Sequence, residues 1–134
     1  MALILPPNWC LIFFRDPKAE FTPARLKELL ADRGLTVTGE TEPLVVRWDD
    51  GPTLFVSIQR GHFIEAVIRG LVGKRRKHRT LIAGCDTQVK IQLSDVEEVL
   101  DEINTLIEVQ AAIQDATGGL MYMSWNHNFA GPDD

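Results

Sequence analysis

SDVEEVLDEINTLIEVQAAIQDATGG, residues Ser94 to Gly119, decides the fold class of this chain. Ser94 followed by Glu97 has the spacing of a capping box, in which a serine hydroxyl and a glutamate carboxylate reciprocally satisfy orphan N–H groups at a helix start. Val96, Val99, Leu100, Ile103, Leu106, Ile107 and Ile113 then fall on one stripe at helical spacing, and Gly118-Gly119 stops the pattern. The spacing predicts a single helix of about six turns with this stripe facing inward.

Outward from that helix the periodicity changes to two. Val89, Ile91 and Leu93 alternate with Lys90 and Gln92, a half-buried strand, and Leu120 to Trp125 reads as a returning strand before a short polar tail from Asn126. Trp9 to Phe14 is a short apolar run rich in β-formers, ended by Arg15-Asp-Pro17, and reads as a buried strand. Thr22-Pro23 supplies a cap and a proline suited to a first helical turn. Leu26, Leu29 and Leu30 form the face of that helix and Gly34 its stop. Leu35 to Thr38 reads as a strand. Leu44 to Trp48 and Thr53 to Ile58 flank Asp49-Asp-Gly-Pro52 as a hairpin. His62 to Val72 reads as a helix with Phe63, Ala66 and Val67 inward, and Arg79 to Gly84 as the start of another strand.

The order β-α-β-β-β-α-β-β-α-β predicts one α+β domain over residues 1–134. Its mostly antiparallel sheet would carry three helices on one face, a ferredoxin-like variant. Fold-level analogy of that kind carries no activity with it.

Charge narrows the function classes. The chain is acidic, with net charge −5, which opposes general affinity for nucleic acid or anionic membranes. Yet Gly51 to Cys85 holds seven cations against the single acid Glu65, so one basic pole on a negative body is expected. Lys74, Arg75, Arg76, Lys77 and Arg79 are the polyanion-binding candidates within it. No aromatics interleave with them and no nucleic-acid-binding motif accompanies them, so a hydrated loop is the preferred reading and nucleic acid an unfavoured partner. Cys10 and Cys85 lack metal-type spacing and lie beside apolar runs, as reduced thiols of a cytoplasmic protein would. No window of about 18 apolar residues could cross a membrane.

No metal or cofactor signature is present. His62, His78 and His127 stand too far apart in sequence to pair on a helix, and no phosphate-loop, nucleophile-elbow or zinc-protease pattern occurs. Two functional readings remain. The first is a small non-enzymatic protein-binding module, immunity- or antitoxin-like, that uses an acidic face. Trp125, Asn126, His127 and Asn128 at a strand end, with Trp48 beside a turn, would be its contact residues. The second is a small enzyme whose pocket combines Cys85, Asp86 and His127 with Trp125 as a wall. That chemistry requires a thiol of lowered pKa and a base within reach. An exposed antiparallel edge would also allow a homodimer.

Overall fold

Trp9–Phe14 forms β1, whose side chains below Trp9 are buried on both faces. Such a strand must lie inside a sheet covered on both sides. In the computed structural model, which describes residues 5–48, 51–72 and 84–132, β1 is central in a seven-stranded, wholly antiparallel sheet. The strands are β1, β2 (Thr36–Thr38), β3 (Leu44–Arg47), β4 (Leu54–Arg60), β5 (Thr87–Leu93), β6 (Leu120–Met123) and β7 (Asn128–Ala130), in the spatial order β2-β3-β4-β5-β1-β6-β7. Among the described residues four helices accompany them: α1 (Pro23–Asp32), α2 (Phe63–Val72), α3 (Val96–Asp101) and α4 (Asn104–Thr117).

Alternation along the strands builds two cores. Cys10, Ile12, Val56, Ile91 and Met121 point to one face, under Leu26 and Leu30 of α1, Val99 of α3 and Leu106, Val109 and Ile113 of α4. Leu11, Phe13, Leu120 and Tyr122 point to the other, under Ile64 and Ile68 of α2. Each fully buried Ile or Phe of this kind stabilises by roughly 1.5–3 kcal/mol relative to exposure. The expected three helices on one face are therefore corrected. α1, α3 and α4 share a face, while α2 covers the opposite one. Its inward residues are Ile64 and Ile68, a pair one turn apart, with Val67 packed against the same core as expected, whereas Ala66 is exposed and Phe63 is 52% exposed. Glu65 and Arg69, one turn apart, mark the outer side of α2, and the phase they set favours Ile64 and Ile68 over Phe63 as inward residues.

The long helix is also corrected. It breaks at Glu102–Ile103, and α3 is capped by Asp95, whose carboxylate accepts from the Glu98 N–H, one residue later than the expected serine cap. A break resets the helical phase. Val99, Leu106, Val109 and Ile113 stay buried, but Ile103 and Ile107, both expected inward, are 41% and 46% exposed. Three expectations hold. Thr22 caps α1 by accepting from the Arg25 N–H at 3.2 Å. The β3–β4 hairpin forms, with Val45 opposite Phe55. Gly118 ends α4 in the left-handed region at φ 65°. Gly119 serves differently, since a Cβ there would come within 2.7 Å of both Ile12 Cγ2 and Phe13 O. The polar tail expected from Asn126 is instead a turn and an edge strand, with β7 pairing Phe129 opposite Tyr122. Of the strand expected over 79–84, only Gly84 is described, and it lies in a turn.

Candidate functional site

The catalytic candidates do not assemble. Cys85 is buried in the α2-side core. Burial first, then the Asp86 and Glu65 carboxylates, push its thiol up to about 11, against a smaller opposing effect of Arg15. Cys10 lies in the other core, where burial raises its thiol to about 12 despite an amide contact from Gln110. The two cysteines are not joined in a disulfide, and the sheet separates them. A nucleophilic cysteine needs the opposite shift. His127 is exposed at φ 58°, with Nδ1 hydrogen-bonded to the Tyr122 hydroxyl at 3.0 Å on the α2 side. Trp125 packs against the core of the other face. The expected convergence of Cys85, His127 and Trp125 on one pocket is thus corrected.

Asp86 has structural work. Its Oδ1 accepts from the Asp16 N–H at 2.8 Å and from the Thr87 hydroxyl at 2.9 Å. It belongs to a network that local sequence could not reveal, because its members are contributed by the ends of β1, β4 and β5. Asp16 accepts from the Glu20 and Phe21 N–H groups and pairs with Arg60 at 2.7 Å. Arg60 donates as well to the Thr87 hydroxyl and the Phe21 carbonyl. Burial alone would raise the Asp16 carboxyl. The hydrogen bonds from Phe21, Arg60 and Glu20, together with the arginine's charge, outweigh burial and hold it below its ordinary value. A cleft of about 280 Å³ beside it is lined by Arg15, Asp16, Glu20 and Arg25. Asp16 is already saturated with donors, so this end reads as a clamp.

The binding candidates fare differently. Asn126, His127 and Asn128 are exposed in the β6–β7 turn, where Asn126 Oδ1 accepts from the Asn128 N–H at 3.0 Å. Trp48, at the end of β3, is 39% exposed and forms one wall of a cleft of about 550 Å³. The opposite wall is the α3–α4 junction, Asp101 to Thr105. Gly51 closes the floor, where a Cβ would meet Trp48 O at 2.8 Å and Thr105 Oγ1 at 3.1 Å. Ile103 lines the cleft, and Ile107 stands one turn further along α4. Lys74, Arg75, Arg76, Lys77 and Arg79 lie outside the described residues.

Charge is as uneven as hydrophobicity. Ser94 to Gly119 contains Asp95, Glu97, Glu98, Asp101, Glu102, Glu108 and Asp115 and no lysine or arginine. Arg33 of α1 reaches Asp115 at 2.6 Å and Glu108 at 3.6 Å. The other five carboxylates are exposed, and none of them forms an ion pair among the described residues. The β6–β7 turn lies at the same end of the sheet as this cleft, since Met123 pairs with Cys10, Trp9 with Gln92 and Leu54 with Leu93. Three strand spacings, about 15 Å, separate β4 from β6.

Among the described residues no group of three metal-ligating side chains comes together, and no helix is long and apolar enough to cross a membrane. No family model, no curated protein and no solved structure matches the chain.

Proposed function

We propose that this protein is a non-enzymatic protein-binding module, immunity- or antitoxin-like, that holds a basic partner against its acidic helical layer. The scaffold suits a ferredoxin-like variant: β1-α1-β4-β5-α4-β6 gives the spatial order β6-β1-β5-β4, with β2, β3 and β7 extending its edges. One observation carries the functional reading. Trp48, Ile103 and Ile107 are large, apolar and exposed, and they stand beside carboxylates that form no ion pair among the described residues. Desolvated apolar side chains ringed by charge supply affinity and steering together. The exposed turn of Asn126, His127 and Asn128, at the same end, adds hydrogen-bonding groups within the span of a standard interface. A cytoplasmic setting accords with two buried cysteines that form no disulfide.

The test is capture from the protein's own source with two baits: the native chain and a variant carrying Glu97→Lys, Glu98→Lys, Asp101→Lys and Glu102→Lys. A strongly basic protein retained in a stable stoichiometric complex by the native chain and lost by the variant is the expected result. Equal retention by the two baits, or no partner for either, refutes the reading.

A further inference from the structure

We infer that the cleft between Trp48 and Ile103, together with Ile107 one turn beyond it, receives one face of a cationic amphipathic helix, an inference that rests on the protein-binding reading above. Three features select this occupant. Ile103 and Ile107 are four residues apart, with the Ile107 N–H donating to the Ile103 carbonyl at 3.0 Å, so their side chains form a ridge repeating at about 6 Å. A partner helix presents apolar side chains at the same repeat, through its positions i, i+3, i+4 and i+7. The cleft of about 550 Å³ between that ridge and Trp48 accommodates a large apolar side chain inserted from outside.

Charge complementarity supplies the second feature. Glu98, Asp101 and Glu102 stand beside the apolar ridge and face solvent, with no cation partner among the described residues. Lysines or arginines flanking the apolar seam of a helix would meet them, whereas an anionic strand of nucleic acid would be repelled. The third feature is the shape of the sheet. Both of its edges, β2 and β7, are three residues long. An added strand would gain few backbone hydrogen bonds there, so the helical layer is the productive docking side.

Two synthetic peptides of equal composition provide the test: an 18-residue helix with leucines at i, i+4, i+7 and i+11 flanked by lysines, and a scramble without the seam. Calorimetric titration should show the amphipathic peptide binding at least tenfold more tightly. Ile103→Ser with Ile107→Ser should remove that preference, and both residues are exposed enough for the variant to fold. Glu98→Gln, Asp101→Asn and Glu102→Gln should weaken both peptides and flatten their salt dependence. Equal binding of the two peptides overturns the inference while leaving the acidic-surface reading intact if the carboxylates are still required. Absence of binding by either peptide also overturns it, and the broader reading then stands or falls on partner capture. A concentration-dependent dimer in sedimentation that the two serine substitutions dissolve would overturn it in favour of a second copy of the chain.

Discussion

The two ends of the sheet treat carboxylates in opposite ways. At the Asp16 end, one carboxylate, 11% exposed, receives two backbone N–H groups and an arginine, and the arginine in turn satisfies a carbonyl and a hydroxyl. At the Trp48 end, five carboxylates over Asp95 to Glu102 stand in solvent with no cation partner among the described residues, beside two isoleucines that a continuous helix would have hidden. α4 runs from one end to the other, Asn104 near the cleft and Thr117 near the clamp. The difference teaches where to look for binding. A satisfied network stabilises the fold and offers little to a ligand. Uncompensated charge beside exposed apolar area contributes nothing to the isolated molecule, and a partner can use it.

That contrast can be broken by measurement. The largest expected effect concerns Cys85, adjacent to Asp86 in the clamp. A thiol pushed up from 9.0 to about 11 has roughly 100-fold less thiolate at neutral pH than an ordinary cysteine, so a thiol probe should label it slowly until the protein is denatured. Rapid native labelling with a midpoint below about 7.5 would restore the enzyme reading. Next is Asp16→Ala, which should cost about 2–4 kcal/mol in chemical denaturation, because it removes the counter-ion of Arg60 and the acceptor of two N–H groups together. The acid limb follows from the same carboxylate. Its pKa is lower in the folded state, so its contribution is complete above about pH 5 and is lost progressively as pH falls below about 4 toward the lowered folded-state value. Asp16→Asn should flatten that limb, and an unchanged acid profile would show the clamp to be dispensable.

Smaller effects separate the two faces of α4. Leu106→Ala, at a fully buried position, should cost about 2–4 kcal/mol. Ile107→Ser, one residue on, should stay within about 0.5 kcal/mol because nothing packs away its side chain. Equal costs would mean that Ile107 is sheltered in solution. The smallest effect is expected at the cleft rim, where Glu98→Gln with Glu102→Gln should move stability by less than about 0.5 kcal/mol while weakening the cationic peptide.

Much of the fold was legible because it is written in local periodicity. Leu26 and Leu30, Val89, Ile91 and Leu93, and the cap at Thr22 each declare themselves within a few residues. What escaped depends on phase and on distance. The break at Glu102–Ile103 interrupts a stripe that is apolar on both sides of it, so composition gave no warning that Ile103 and Ile107 would turn outward. The placement of α2 on the opposite face is a property of the crossover and has no counterpart in the helix's own residues. Of the site, Trp48 and the Asn126 to Asn128 turn were visible as an aromatic beside a turn and as amides at a strand end. The clamp was invisible, since Asp16, Arg60 and Asp86 meet only after three strands have paired.

The neighbouring glycines after α4 have unequal futures under mutation. Gly118 has open space around its missing Cβ, and its left-handed backbone would accept an asparagine for about 1 kcal/mol of strain. Gly119 abuts the backbone of the central strand, so even one methyl group would wedge β6 away from β1 and carry the terminal hairpin, His127 included, out of register. Divergent copies of this chain should therefore vary freely at the first position and hold the second fixed.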